Sequence, residues 1–389
     1  MRDSPQSEPV QAWISAVAER PTAAAMTLAA LTGALVAPLA AGGDAHTFQL
    51  AEDQLLSSHG WDIFSNPYLQ VGPTYLLLLG LLHLVAGFLH LPASVVAGAV
   101  QSLLVTWLAL RCVRSAWPVV AERPTAAWAV GLALVTGGPL TEALLNGHPE
   151  ELATGLLLVL AGQQALERRS FLPVALAGTS KLWGLLGVVV LLVGAHWTVA
   201  GLRLFVARVG GLGLLVALAY VPFFLFGDVE TFREVWLCDR YSPLGLLTGY
   251  VGPAPFAPRL GQMALSVAVG TAFVARRSRP ELVVLGVVCV RLLTDPLRQS
   301  YYWAELLLLV LVVAWSSTSS CGPRLRLAVA VAAPVVVVAP YLLPEVVTGW
   351  AHTLVTTALL AAAGWSTLAS VSRSAKPEVG RSHVLLTAA

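Results

Sequence analysis

Long apolar blocks separated by short polar connectors restrict the fold of this chain more than any other feature. The first block, residues 21–41, is rich in Ala and Leu and is long enough to cross a bilayer, which takes about 20 apolar residues. Hydrophobic residues make up 57% of the 389-residue chain and charged residues only 11%, whereas soluble domains are about 25% charged. The sequence therefore predicts an all-α polytopic membrane protein in a lipid bilayer.

The distribution of Lys and Arg predicts which connectors face outward. No Lys or Arg occurs in residues 21–110, so the loop 42–68 is expected on the extracytoplasmic side of the cell membrane. Its first part, residues 46–58, mixes Phe and Leu with polar residues, which is typical of a helix that lies in the membrane interface.

A parity argument concerns the next two apolar blocks. The connector that carries Arg111, Arg114 and Arg123 is expected on the cytoplasmic side. An odd number of crossings must separate it from the outer loop, yet residues 73–91 and 93–110 are both apolar. We predict that 93–110 crosses and that 73–91 is a half-embedded helix of the outer loop.

About twelve crossings result when this alternation is continued. The block 171–200 is too long for one span and is divided at Lys181 into a short outward and a short inward piece. Residues 1–20 and 372–389 are expected as cytoplasmic tails, and residues 21–371 form one transmembrane domain. The other predicted spans are 124–141, 150–167, 204–226, 259–275, 281–294, 301–316, 326–343 and 350–370.

Several classes of protein are disfavoured by charge and cysteine content. A formal net charge of +2 argues against nucleic acid as a partner. The four Cys residues lie far apart without a CxxC pair, so neither a zinc knuckle nor a disulfide framework is predicted. No small-residue cleavage site follows the first block, which indicates a retained span rather than a removed signal peptide.

Asp44 comes directly after the first span and is the first candidate for chemistry. One interpretation is structural, because Asp is a preferred N-cap of a helix. The other is a general base that takes a proton from an acceptor hydroxyl, and both roles are compatible. Asp62 and the pair Glu52-Asp53 are interpreted as solvated loop charges.

Lys181 is one of two lysines in the chain and interrupts an apolar block. It could snorkel to the membrane surface, but a short preceding piece makes that awkward. Ionisable groups at membrane depth usually line a cavity. We therefore expect Lys181 in an outer cavity, where it holds an anionic group.

Arg298 offers a second positive charge in the stretch that continues to Tyr301 and Tyr302. It either binds an anion or pairs with Asp295, with the two tyrosines as interfacial aromatics. Arg240, in the loop 227–258, is a weaker candidate of the same kind.

The turn that precedes the span 150–167 carries His148, Glu150 and Glu151. Glu residues in a first helical turn are favoured by the helix dipole, so at least one of the two is interpreted as structural. His148 is a candidate for contact with a phosphate or sugar, and His46 lies close to Asp44 in the sequence.

These segments together resemble the GT-C-fold glycosyltransferases that use polyprenyl-phosphate sugars, and most of all the family 87 mannosyltransferase-like proteins of actinobacteria. The resemblance covers residues 43 to 315. Many relatives have a Gly-Gln-x-Asn turn where this chain has Asn-Gly-His-Pro-Glu-Glu, which leaves the donor and acceptor class open. It rests on Gly43-Asp44 with Asn66-Pro67-Tyr68, on Asn146 to Glu151, on Ala177 to Trp183, and on Arg298 to Trp303.

The resemblance implies a GT-C-like bundle of about twelve transmembrane helices with interfacial helices in the first external loop. It implies transfer of a mannose-like sugar from a polyprenyl-phosphate donor to a lipid or glycan acceptor on the extracytoplasmic face. Inversion is expected because the sequence offers no second obvious nucleophile. Asp44 would be the base, and Lys181 with Arg298 or His148 would neutralise the leaving phosphate. The further substrate-binding candidates are His46, Glu150, Glu151, Arg240, Tyr301 and Tyr302. Whether the reaction uses a divalent metal ion is left open by the sequence.

Two other functions stay open at this point. A transporter or flippase of lipid-linked or small polar solutes also has broken helices and charges at membrane depth. It should show internal repeats and polar groups reachable from both faces, whereas this sequence has no clear repeat and its polar clusters fall on one side. An inactive relative that serves as an assembly subunit is the third interpretation.

Overall fold

The computed structural model describes residues 19–40, 44–116, 123–165, 169–193, 198–254, 256–316 and 322–374. Helices dominate these residues, because only a helix satisfies its own backbone hydrogen bonds in lipid. In chain order they are α1 (Pro21–Val36), α2 (Asp44–Leu55), α3 (Pro73–Leu89), α4 (Ala93–Ala116), α5 (Arg123–Val135), α6 (Pro139–Leu145), α7 (Pro149–Gln163), α8 (Phe171–Ser180), α9 (Val199–Phe226), α10 (Pro243–Thr248), α11 (Phe256–Ala275), α12 (Pro280–Leu293), α13 (Tyr301–Ser316), α14 (Gly322–Leu342) and α15 (Glu345–Ser374). The 3₁₀ helices are Ala37–Leu39, Gly60–Ser65, Leu182–Leu192 and Thr231–Arg233, and the strands β1 (Trp236–Leu237) and β2 (Pro253–Ala254) pair antiparallel.

Among the described residues, five helical segments are long and apolar enough to cross a membrane. They cover Pro21–Leu39, Ala93–Ser115, Trp128–Leu145, Val199–Phe226 and Glu345–Leu368. The prediction of an all-α membrane protein is confirmed at this level, and the count of twelve crossings stays a prediction.

The first and fourth helices run antiparallel and pack closely. At one end the Arg114 guanidinium donates to Thr22 Oγ1. Towards the other end Gly33 faces Gly98, where a Cβ at Gly33 would come within 2.1 Å of the Gly98 carbonyl oxygen. Two glycines therefore allow this close approach of the helices, and the contacts fix which ends of α1 and α4 lie together.

Helix α3 covers the block that the parity argument singles out. The Gln101 amide donates to the Tyr75 hydroxyl at 3.1 Å, which fixes the start of α3 beside α4. Tyr75, His83 and Ala93 line one cavity together with Pro38, at the end of the bundle where α1 terminates. Both ends of α3 therefore adjoin the same end of the bundle, which fits a helix that does not cross.

The chain is broken at Lys181, where the sequence predicts two short pieces. Lys181 is extended (φ −148°, ψ 127°) between α8 and the 3₁₀ helix Leu182–Leu192. Its backbone forms a β-bridge with Val71, and Gly72 N donates to Ser180 O at 2.8 Å. The predicted break is confirmed, and it serves as the attachment point of the first loop.

The main hydrophobic core lies between the shorter helices. Helices α7, α12 and α13 are buried along nearly their whole described length. The longer α9 instead exposes many Leu, Val and Phe side chains on its outer surface. This arrangement puts a rigid packed centre beneath the loops at the end of the bundle where Asp44 and Lys181 lie.

Candidate functional site

A cavity of about 180 Å³ opens at this end of the bundle. Leu182, Leu186 and Met263 give part of its wall an apolar character. The ionisable side chains that line it are Asp44, His148, Glu151, Lys181, Arg259, Arg291 and Asp295, and Tyr301 and Tyr302 lie among them. The structure thus brings together residues from the first loop, from the turn before α7, from the break at Lys181 and from α11 to α13.

Asp44, His148 and Glu150 form a hydrogen-bonded chain. His148 Nε2 donates to Asp44 Oδ2 at 2.6 Å, and Nδ1 donates to Glu150 Oε1 at 2.7 Å. The imidazole ring also lies 4.1 Å from the Tyr301 ring. The side chains of His148 and Glu150 are 3% and 1% exposed, but that of Asp44 is 55% exposed. Of these three hydrogen-bonded side chains, Asp44 is therefore the one that a substrate can reach.

Two ionised carboxylates favour the charged form of the imidazole, because both ring nitrogens carry a proton when they donate to them. Burial lowers the pKa of His148, but the charge of Glu150 and the hydrogen bonds to Asp44 and Glu150 outweigh it and raise the pKa. The hydrogen bond from His148 lowers the pKa of Asp44, although burial opposes it. At neutral pH, Asp44 is therefore ionised, and its hydrogen bond with His148 favours the charged form of the imidazole.

Lys181 lies next to these three side chains, between the buried carboxylates of Glu150 and Glu151. Its Nζ is 3.0 Å from Glu150 Oε1 and 3.2 Å from Glu151 Oε1. Removal of two charges from water is costly unless they are paired. The pairing accounts for a buried lysine at this position.

A second buried cation, Arg291, continues the network. Its Nη1 lies 2.8 Å from Glu305 Oε2 and 3.4 Å from Glu151 Oε2. The guanidinium stacks over the rings of Trp183 at 4.5 Å and Tyr302 at 5.2 Å. Sequence reasoning missed Arg291 and Glu305, although a charged residue inside each of two predicted spans was an available signal.

Arg298 and Arg240, two other candidates, do not line the cavity. Arg298 donates to Thr348 Oγ1 at 2.7 Å and lies 3.6 Å from Asp239 Oδ2. The proposed pairing of Arg298 with Asp295 is wrong, because Arg298 pairs with Asp239 and Glu345 instead. Asp295 accepts the Leu297 N–H at 2.9 Å within its own turn. Arg240 stacks on Tyr241 at 4.8 Å.

His46 lines a separate cavity of about 290 Å³, which shares Phe48 with the first cavity. Glu52 lies in the same cavity and is hydrogen-bonded to His83 Nδ1 at 3.0 Å. The interpretation of Glu52 as a solvated loop charge is wrong, since its side chain is 6% exposed. Burial raises its pKa, although the hydrogen bond to His83 opposes the shift.

Within the described parts of the chain, two groups of side chains have the spacing of metal ligands. Glu52, Asp53 and His83 form one group, and their carboxylate and imidazole donors suit a divalent ion. The other consists of His148, Glu150 and Glu151. It fits a metal poorly, because the Lys181 ammonium already supplies the positive charge between the two carboxylates.

The cavity as a whole combines an accessible ionised carboxylate, positive charge and an apolar wall. A carboxylate held in this way can accept a proton from a hydroxyl, while the cations favour an anionic substrate group. Comparison of the chain with protein-family models, with curated proteins and with solved structures found no match.

Proposed function

We propose that the protein is a membrane glycosyltransferase that moves a mannose-like sugar from a polyprenyl-phosphate donor to an acceptor hydroxyl on the extracytoplasmic face. The observation that carries the proposal is Asp44, an exposed carboxylate kept ionised by a buried His148–Glu150 pair at the edge of a cavity with cations. A transferase of this kind needs a base for the hydroxyl and positive charge for the leaving phosphate.

The reaction is a single displacement. Asp44 takes the proton of the acceptor hydroxyl as its oxygen attacks the anomeric carbon. The bond from that carbon to the phosphate oxygen breaks on the opposite side, and the phosphate leaves with the electron pair. The configuration at the anomeric carbon inverts, because the hydroxyl attacks from the side opposite the leaving phosphate in one step.

An apolar groove beside the cavity suits the lipid tail of such a donor. Phe64, Tyr220 and Phe224 line it, and it shares Gln70 and Leu182 with the cavity. Because α9 carries Tyr220 and Phe224 and also exposes apolar side chains outward, the tail would reach the groove from the bilayer. About twelve crossings, with the termini in the cytoplasm, would put the cavity on the outer face.

Sugar transfer in proteoliposomes tests the proposal. The assay follows labelled mannose from polyprenyl-phosphate mannose to a membrane-lipid acceptor. Asp44→Asn keeps the size of the side chain but removes the base, so transfer should fall by about two to four orders of magnitude. Asp62→Asn is the matched control, because Asp62 lies in the same loop but outside the cavity. Full transfer by Asp44→Asn would exclude Asp44 as the base.

A transporter is the second candidate function, and the break at Lys181 is the observation that favours it. Discontinuous helices with charged groups at the break are a feature of transporters. Flipping of a fluorescent polyprenyl phosphate by proteoliposomes separates the two. Flipping without any sugar transfer, and unchanged in Asp44→Asn, would support the transporter.

A further inference from the structure

We propose that Arg259, stacked against Trp236, is the residue that binds the phosphate group of the ligand, whereas Lys181 has a structural role. The identification of this phosphate with that of a lipid-linked sugar rests on the proposed function. The phosphate subsite itself rests on the charges, the helix position and the aromatic contacts around Arg259.

The charge balance of the cavity is the first argument. Lys181 is paired with Glu150 and Glu151, and Arg291 is paired with Glu151 and Glu305. Arg259 also lines the cavity, but its Nε is buried without a hydrogen-bond partner. Among the residues that the structure describes, no carboxylate forms an ion pair with it. The positive charge of Arg259 is therefore available to bind an incoming anion.

The position of Arg259 in α11 is the second argument. A cation in the first turn is opposed by the helix dipole, whose positive end lies there. This turn contains no acidic residue that could offset the repulsion. Arg259, Gln262 and Met263 all line the cavity, so the first turns of this 20-residue helix face it. A bound phosphate would interact favourably with both the guanidinium and the helix terminus.

The aromatic contacts are the third argument. The Arg259 guanidinium lies 5.8 Å from the centre of the Trp236 ring, and Tyr68 packs edge-on against that ring at 6.0 Å. Trp236 is itself held by its pairing with Ala254 in the β1–β2 ribbon. A stacked guanidinium has a defined plane, so its N–H groups are oriented for bidentate contact with a phosphate. Tyr68 and Gln70 extend this wall of the cavity, and Gln70 leads to the apolar groove.

Binding measurements on the purified full-length protein test this assignment without a transfer assay. The probes are undecaprenyl phosphate, undecaprenol and inorganic phosphate, each titrated by calorimetry. Arg259→Gln should weaken binding of undecaprenyl phosphate by about ten- to a hundredfold, the usual effect of one charged hydrogen-bonding partner. Arg259→Lys should lose less, because it keeps the charge but not the fork of donors. Undecaprenol should bind more weakly and equally to all variants.

Arg233→Gln is the matched control, since Arg233 is exposed and paired only with Glu230 among the described residues. Retention of the wild-type melting temperature by Arg259→Gln establishes that the variant is folded, and Arg259→Lys gives the same comparison independently. Binding of undecaprenyl phosphate by Arg259→Gln at wild-type affinity would overturn the assignment. Equal binding of undecaprenol and undecaprenyl phosphate by the wild type would overturn it as well.

The two remaining outcomes identify the source of the phosphate. Binding of inorganic phosphate alone, weakened in Arg259→Gln, would support the subsite and replace the lipid with a soluble phosphate. Arg259-dependent binding of undecaprenyl phosphate without any sugar transfer would support the subsite and remove the glycosyltransferase function.

Discussion

The contacts of Lys181 change the role expected for this residue from ligand binding to a structural one. The sequence marks it correctly as an unusual charge that lies at a break and in a cavity. Its proposed contact with an anionic ligand depended on a free ammonium, whereas both hydrogen-bonding carboxylates are within 3.2 Å. A single sequence cannot reveal this pairing, because Glu150 and Glu151 lie about thirty residues earlier, on another helix.

Replacement of Lys181 by Met distinguishes the structural role from a ligand-binding role. The variant leaves Glu150 and Glu151 buried with one cation fewer, and such a loss costs about 3–5 kcal/mol. We expect a clearly lower melting temperature in detergent, and the control Arg233→Gln should melt like the wild type. A Lys181→Met protein of normal stability that fails to bind undecaprenyl phosphate would return the phosphate to Lys181.

Arg259 and Arg291 illustrate two different limits of prediction at the residue scale. Arg291 lies within the predicted span 281–294, where any charge indicates a partner or a cavity. Arg259 is the first residue of the predicted span 259–275. An Arg at the end of a span ordinarily indicates only where the membrane boundary lies. Only the fold shows that this boundary faces a cavity that Asp44 and Trp236 also line.

At the scale of the elements, the division of the block 171–200 was predictable and its geometry was not. The block is too long for one span and contains Lys181, so the sequence predicted two short helices. The second piece is a 3₁₀ helix of 11 residues, which reaches about 22 Å in place of about 16 Å for the same residues as α-helix. A uniformly apolar stretch has no periodicity that separates the two geometries.

The attachment of the first loop to this break can be tested at Gly72. A Cβ at this position would lie 2.1 Å from the Thr179 carbonyl oxygen, and overpacking of this kind costs about 1–3 kcal/mol. We expect Gly72→Ala to lower the melting temperature and the rate of sugar transfer together.

Gly87→Ala is the control for this substitution. Gly87 lies in α3 with nothing within 4 Å of an added Cβ, so alanine should be neutral or stabilise by about 0.5–1 kcal/mol. A Gly72→Ala protein as stable as Gly87→Ala would mean that the loop is not fastened at the break.

At the scale of the whole molecule, Arg114 and Arg326 lie at the end of the bundle opposite the cavity, whereas Arg259 and Arg291 line the cavity itself. Arg114 contacts Thr22 at the end where α1 begins, and Arg326 donates to Ala314 O near the end of α13. Asp44, Lys181 and Tyr301 line the cavity at the other end. The charge rule could predict this polarity because it depends only on which connectors carry Arg. It could not predict which short helices are buried, since that depends on how the bundle packs.

Cysteine labelling measures the topology that the polarity implies. The native residues Cys112, Cys238 and Cys289 are buried, and these and Cys321 are first replaced by Ser. Ser94→Cys, after the end of α3, should react with an impermeant maleimide from outside intact cells. Ser115→Cys, beside Arg114 at the other end of α4, should react only after permeabilisation. Both expectations follow from the proposed outward orientation of the cavity, because Tyr75 near the start of α3 and Ala93 after its end line the same cavity, which leaves α4 as the helix between the two labelled positions. Labelling of Ser115→Cys from outside would mean that the topology is inverted and that the cavity faces the cytoplasm, because α1 and α4 are antiparallel and Arg114 lies beside Thr22.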